Sequence, residues 1–438
     1  MTRVNIGIGS NLGDRLEHLE AGLAGIAQVG MVMGGSPIYE TAPVGEVEQG
    51  SFLNAVISIE TDLGPREVLD ALLAIEQTRG RRRDVRWGPR TLDLDLLTFG
   101  DVAVDEPGLT VPHPEIRNRR FVLVPLIQAD PQVRDGGGLL AHALEGVRNQ
   151  EIRRVSGPLH PDGTRWLRGL EDAIDLTAVA NGWTFSCDAD WANSSGDMFG
   201  AYLSAASLLA IRSVAPLMSP ISITHRFIQG VPVGSSGNVS VSVDRRSDRS
   251  LDAVVTLTVG TQLVGRSTIS ALERVPDVVS GPRAPAVTGI DTTVPIADLV
   301  ADLGRPVGLS AMNWGPLENW DRPDLADGAQ SALRLWSPNA GLGSNDPYLT
   351  AASMLMPIDA AIWPATMYDL HLLPQGPAIF TPTIEFSSVF ADVASDDVFH
   401  LCEARIEHRT GSSISGTVRI WGDDGGYRAT GHSYNLLR

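Results

Sequence analysis

The stretch Arg86-Trp87-Gly88-Pro89-Arg90-Thr91-Leu92-Asp93-Leu94-Asp95-Leu96-Leu97 joins a stiff basic turn to a run in which leucine and aspartate alternate. If residues 92–99 form a strand, successive side chains point to opposite faces. Asp93 and Asp95 then share one face, while Leu92, Leu94 and Leu96 share the other, which can be buried. Two carboxylates held side by side repel each other, and a bound cation, a shared proton or neighbouring arginines relieve that repulsion. Magnesium with a phosphate-bearing substrate suits the pair best, because that ion is held by one or two carboxylates together with phosphate oxygens and water.

The surroundings of this stretch are basic in a chain that is not. Arg79, Arg81, Arg82, Arg83, Arg86 and Arg90 cluster within a protein of formal net charge −18. Such an acidic balance argues against a general nucleic-acid binder, which needs a basic face. No lysine occurs in the sequence, which excludes a Walker-type phosphate loop and any Schiff-base mechanism. Phosphate must therefore be handled by arginine, backbone amides and metal. The only cysteines, Cys187 and Cys402, lie far apart without histidines at metal-ligand spacing, so they read as buried thiols rather than a disulfide framework or a zinc site. At 438 residues and 43% hydrophobic content, with no run long enough to cross a bilayer, the sequence predicts a soluble chain of two or three domains. Residues 1–10 lack a basic region followed by an apolar core, so no secretory signal is expected and the cytoplasm is the predicted location.

Upstream, Val4, Ile6 and Ile8 alternate into the turn Gly9-Ser10-Asn11-Leu12-Gly13. That turn is either a phosphate cradle or a plain strand-to-helix connection, and its glycines match no dinucleotide fingerprint. Asp14 and Glu17 resemble a capping box ahead of Leu16, Leu19, Leu23 and Ile26 at helical spacing. In Phe52–Glu60, Leu53, Ala55, Ile57 and Ile59 form an apolar face, and Phe52, Asn54 and Val56 the opposite one. An aromatic beside an amide can recognise a flat heterocycle, although a surface pair near a sheet edge has the same spacing. Gly64-Pro65 opens a second helix that Gly80 ends. His113 sits between two prolines in an extended loop and, in this arginine-rich setting, is a candidate phosphate contact. The order β-α-β-β-α-β predicts an α+β, ferredoxin-like amino-terminal domain.

These residues resemble the 6-hydroxymethyl-7,8-dihydropterin pyrophosphokinase family of folate biosynthesis. The resemblance runs through residues 1–159, in Ile8-Gly9-Ser10-Asn11-Leu12, Phe52-Leu53-Asn54-Ala55, the Arg86–Leu97 stretch, Val111-Pro112-His113-Pro114 and Phe121-Val122-Leu123. It implies ATP as co-substrate and two magnesium ions on Asp93 and Asp95. It implies that Phe52 and Phe121 sandwich the pterin, with Asn54, Asp93 and the Thr41-Ala42-Pro43-Val44 segment at the pterin edge. Arg81, Arg83, Arg90 and His113 would hold the triphosphate, Leu96, Leu109 and Thr110 would lie near the adenine, and Arg81, Arg90, Asp93 and Asp95 would form the catalytic set.

Residues 160–438 carry a different pattern. Turn formers at 156–163 and a second such region at 276–295 flank two copies of one order, an apolar helix followed by four alternating strands, offset by roughly 160 residues. The expected boundaries are a first repeat at 160–275, a linker at 276–300 and a second repeat at 301–438. This half resembles the double hotdog fold of acyl-CoA thioesterases. That resemblance implies an acid on the second helix, a serine or threonine on the next strand and an amide on the last strand. Thr383 matches; alignment sets Leu355 against the acid, with Asp359 one turn on, and Ser433 against the amide. The expected module is therefore a degenerate one that binds an acyl group or acyl-CoA, or joins two copies in a homodimer. The alternative is an active acyl-CoA thioesterase with an accessory amino-terminal domain. The remaining histidines are expected to be structural or exposed, and Met354 and Met356 to fill the core.

Overall fold

In the computed structural model, the described residues are 1–43, 49–80, 89–130, 133–147, 149–157, 159–160, 163–193, 196–273, 281–285, 294–295, 319–321, 332–338, 346–362, 365–366, 382–393, 397, 399–422 and 424–437. They form two compact units, Met1–Gly169 and Leu170–Arg438. The first unit extends past the turn-rich segment at 156–163 because Trp166 is buried in its core and donates its indole N–H to the Ser36 carbonyl at 3.0 Å.

Within the first unit the chain runs β1 (Thr2–Ser10), α1 (Arg15–Ile26), β2 (Met31–Gly35), β3 (Tyr39–Thr41), β4 (Phe52–Thr61), α2 (Pro65–Thr78) and β5 (Asp93–Phe99). A ribbon of β6 (Val104–Glu106) and β7 (Leu109–Val111) follows, then α3 (Arg120–Ala129), a short pair of β8 (Arg134–Asp135) and β9 (Gly138–Leu139), and β10 (Arg153–Arg154). The sheet order is β10-β3-β4-β1-β5, with β2 also paired to β4, and every pairing is antiparallel. One face carries Val4, Ile6, Ile8, Ala55, Ile57, Ile59, Leu94 and Leu96 against Leu19, Leu23 and Ile26 of α1 and Val68 and Leu72 of α2. Burying such side chains contributes about 1.5–3 kcal/mol each. Gly22 lets α1 approach, since a Cβ there would fall 2.8 Å from Ile8 Cδ1. Asp14 caps α1 by accepting from the Glu17 N–H at 3.1 Å.

The opposite face is polar. Asn5 donates to Thr98 Oγ1 and Asp130 Oδ2, each at 2.9 Å, and accepts from Ser58 Oγ, which closes a buried cluster at the carboxyl end of α3. Next to it, Gly7, Gly9, Asn54, Asp93 and Asp95 are left on an open part of the sheet.

The second unit contains α4 (Leu170–Ile174), β11 (Thr177–Val179), β12 (Gly182–Ser186), α5 (Gly200–Val214), β13 (Met218–Phe227), β14 (Ser236–Arg246), β15 (Ser250–Val259) and β16 (Gln262–Glu273). Then come β17 (Val294–Pro295), β18 (Asn319–Asp321), β19 (Ala332–Pro338), α6 (Pro347–Ala360), β20 (Thr383–Phe390), β21 (Phe399–Arg409), β22 (Ser413–Gly422) and β23 (Tyr427–Leu436). One sheet has the order β11-β12-β14-β15-β16-β13-β20-β23-β22-β21-β19-β18-β17. Reading outward from the central β13–β20 pair gives the same succession in both directions, which is the expected duplication. Helices α5 and α6 are buried on nearly every side, and their many alanines and serines permit close approach to each other and to the sheet. Met354 and Met356 are core residues, and both cysteines are buried free thiols. His225 and His400 are buried and His432 is exposed, whereas His371 lies outside the described residues.

Each helix ends against the start of the other. Near the end of α6, Asp359 Oδ2 accepts from the Ala201 N–H at 2.8 Å. Near the end of α5, Arg212 donates to Asp346, the N-cap of α6, at 2.7 Å.

Candidate functional site

The open part of the first sheet is the floor of a cleft of about 260 Å³. It gathers Thr41, Ala42, Phe52, Asn54, Arg90, Asp93, Asp95, His113 and Phe121, all expected from the sequence. The strand register brings the carboxylates there: Gly9 pairs with Asp93 and Gly7 with Asp95, so neither has a bulky cross-strand neighbour. A Cβ at Gly9 would come within 3.0 Å of Asn54 Oδ1, and glycine keeps that space clear. Asp93 and Asp95 are half-buried, and Leu94 and Leu96 point into the core as the alternation predicted. The alternation then breaks, because the register between β1 and β5 shifts at Asn5 and Ile6 and leaves Leu97 as an extra residue that also lines the cleft.

Arg90 forms an ion pair with Asp93. Phe52 and Phe121 lie on β4 and α3, and Arg119 stands over the Phe121 ring at 5.8 Å from its centroid, within cation–π range. Asn54 donates to Thr41 Oγ1 at 2.9 Å, which orients its amide along the cleft edge. The backbone N–H of His113 donates to Leu97 O at 2.9 Å, which ties its loop to the end of β5. Burial, and then the nearby Arg119 charge, lower the His113 imidazole pKa below its ordinary value, which favours the neutral ring.

Several expected residues lie elsewhere. Leu96 and Leu109 are buried in the core and Thr110 is exposed on the ribbon, bonded to Asp105 at 3.4 Å, so these three do not line the cleft. Pro43 is described but is not a lining residue, while Val44, Arg81, Arg83 and the rest of 81–88 fall outside the described residues. Arg79, a member of the basic cluster, turns to α1 instead, donating to His18 Nδ1 and pairing with Glu17 at 2.8 Å. Gln49, Arg119 and Val122 line the cleft without having been singled out. Glu76 was missed as well. It is buried at the end of α2 and accepts from the Leu94 N–H at 2.7 Å, which holds the edge strand that bears both aspartates.

Among the described residues no group of three or more histidine, cysteine, aspartate or glutamate side chains forms a metal cage. Asp93 and Asp95 are hard oxygen donors on adjacent positions of one face. Such a pair fits magnesium that completes its shell with phosphate oxygens and water.

A second polar cluster lies in the other unit. Asp359 is 7% exposed, and its Oδ1 accepts from Thr383 Oγ1 at 2.8 Å while Oδ2 holds the Ala201 N–H. Asn435 Nδ2 donates to Thr383 Oγ1 at 2.9 Å, and Ser433 Oγ donates to Asn435 Oδ1 at 2.6 Å. Burial pushes the Asp359 carboxyl up to about 6 in spite of the two hydrogen bonds that favour its ionised form. The aligned positions, Leu355 and Ser433, are thus displaced by one helical turn and by two strand residues from the acid and the amide that meet Thr383. Both displacements keep the side chain on the same face.

A carboxylate pair, an arginine and two aromatic walls around one cleft define a class of protein that handles phosphate beside a flat ring. The comparisons specify it further: a family model described as 7,8-dihydro-6-hydroxymethylpterin-pyrophosphokinase matches residues 5–131. A 2-amino-4-hydroxy-6-hydroxymethyldihydropteridine pyrophosphokinase of Pseudomonas aeruginosa is 41% identical over 158 residues, covering 35% of this chain and 98% of the relative. The enzyme of the same name from Bacillus subtilis is 43% identical over 145 residues, 33% of this chain and 87% of that one. The chain belongs to this pyrophosphokinase family through its first unit.

The second unit is similar in fold to a protein of Novosphingobium aromaticivorans described as a thioesterase, with TM-score 0.50, 20% identity, and coverage of 60% of this chain and 98% of that one. A Thermobifida fusca protein described as a thioesterase II gives TM-score 0.50 at 13% identity, covering 61% and 97%. At these identities the likeness concerns the fold, a double hotdog.

Proposed function

We propose that the first unit transfers the diphosphoryl group of ATP to 6-hydroxymethyl-7,8-dihydropterin in folate biosynthesis and releases AMP. The observation that carries this reading is the convergence of Asp93, Asp95 and Arg90 with Phe52, Phe121 and Asn54 in one cleft. The pterin ring lies between the two phenylalanines, and Asn54 and Thr41 bond its edge. Its hydroxymethyl oxygen attacks the β-phosphorus of ATP, the bond from that phosphorus to the α,β-bridging oxygen breaks, and the hydroxyl proton passes to solvent. Magnesium, two ions in this reading, would be held by Asp93 and Asp95 and would neutralise phosphate charge. Arg90 and His113 hold the triphosphate, with Arg81 and Arg83 assigned the same role. Catalysis is then positioning plus charge stabilisation, with no covalent intermediate. Leu96, Leu109 and Thr110, which do not line the cleft, are kept in this reading as residues near the adenine. The test is AMP release from ATP and the dihydropterin, and no AMP above a no-enzyme control would sink the reading. The strand order β3-β4-β1-β5 with helices after β1 and β4 supports a ferredoxin-like assignment for this unit. Among the described residues no helix is long and apolar enough to cross a membrane, and a cytoplasmic location is part of this proposal.

For the second unit the bonded set Asp359, Thr383 and Asn435 supports a further reading beside acyl binding and self-association. In it, Asp359 takes a proton from water held at Thr383, and the water oxygen attacks an acyl thioester carbonyl. The carbon–sulfur bond breaks, and the proton leaves with the thiol. Thiol release from a series of acyl-CoAs distinguishes hydrolysis from binding alone, and size-exclusion chromatography tests the homodimer.

A further inference from the structure

The turn Gly9–Gly13, which the sequence leaves open between a phosphate cradle and a plain connection, carries a side chain bonded to two separate parts of the cleft. Asn11 is 7% exposed and uses both ends of its amide. Its Oδ1 accepts from the Arg90 N–H at 2.7 Å, and its own backbone N–H donates to Arg90 O at 3.1 Å. Its Nδ2 donates to Gln49 Oε1 at 3.0 Å and to Gly50 O at 3.3 Å. Four residues on, Arg15 Nη1 reaches Ser51 O at 2.8 Å. One short turn therefore holds, on one side, the residue that pairs with Asp93 and, on the other, the segment that leads into Phe52. Arg90, Gln49 and Phe52 all line the cleft.

We propose that Asn11 is a positioning residue that fixes the phosphate side of the cleft to its pterin side. The proposal rests on the diphosphokinase reading. Oδ1 sets the backbone from which the Arg90 guanidinium reaches Asp93, and Nδ2 sets the entrance of β4, which carries Phe52 and Asn54. Because transfer requires the β-phosphorus and the hydroxymethyl oxygen to meet in line, a small loss of register between the two sides lowers turnover even when each substrate still binds.

The two ends of the amide can be separated. In Asn11→Asp an acceptor for the Arg90 N–H remains, but the donor toward Gln49 and Gly50 is lost. In Asn11→Leu both are lost at similar volume. The experiment measures kcat and KM for each substrate, with melting temperature, for wild type and both variants. The expected result for Asn11→Asp is a several-fold rise in pterin KM together with a several-fold fall in kcat, the ATP KM being nearly unchanged. For Asn11→Leu a larger fall in kcat, about tenfold or more, is expected, the scale of one further lost hydrogen bond. A purely structural role would lower the active fraction and the melting temperature and leave each KM alone, and that outcome overturns the proposal, as does a Leu variant within twofold of wild type. An inactive wild type would instead overturn the diphosphokinase reading, so the two failures are distinguishable.

Discussion

Two aspartate environments in this chain set one functional group in contrasting surroundings. Asp93 and Asp95 sit half-buried on a strand face that opens to a cleft, with Arg90 paired to Asp93. Asp359 is sealed at a helix end, where its partners are a hydroxyl and a backbone N–H rather than a full positive charge. The first arrangement keeps both carboxylates on the floor of a cleft, where the proposed function has them hold metal. In the second, burial pushes the carboxyl pKa up to about 6. The surroundings, more than the residue type, set the chemistry.

Removing the cleft carboxylate should give the largest effect. Asp95→Ala is expected to lower AMP release by about a thousandfold or more, with the melting temperature little changed. Substantial retained turnover would mean that the strand face does not hold metal and phosphate. Phe52→Ala comes next: loss of one aromatic wall should raise the pterin KM about tenfold while ATP binding, followed by calorimetry, is spared.

For Asp359 the expectation is a pH dependence. Thiol release from an acyl-CoA that serves as substrate should fall below an apparent pKa near 6, as the carboxylate is protonated. Asp359→Asn should abolish release at every pH. The same shift has a stability consequence. The folded chain retains a proton that the unfolded chain releases near 3.8, so the contribution is present below 3.8 and is lost as pH rises through about 6. Thermal melts of wild type should show that decline, and melts of Asp359→Asn should lack it. The smallest effect belongs to the first helix, where Asp14→Ala removes the cap of α1 and should cost about 1 kcal/mol, read from urea denaturation.

The face alternation at Asp93, Asp95, Phe52 and Asn54 was legible because strand period alone decides it, and residues on one strand face need no knowledge of the rest of the chain. The duplication in the second unit was legible for a related reason, since an order of elements survives when individual residues do not. Contacts across long sequence separations were hidden. Glu76 bonded to Leu94, Arg79 turned toward His18, and the meeting of Asn435 with Thr383 depend on how separate elements pack. Leu97 escaped notice because a bulge breaks the period that made its neighbours readable. Asp359 was legible as lying one turn beyond the position matched to the acid, and that spacing keeps it on the same helix face; its bond to Ala201 was not.

The reciprocal helix ends in the second unit show how the two repeats differ. Where one helix end carries Asp359 against the Ala201 N–H, its counterpart carries Arg212, already neutralised by Asp346 and Glu171. The two halves repeat one framework but carry opposite charge at matching helix ends, so a substitution at one end has no equivalent at the other.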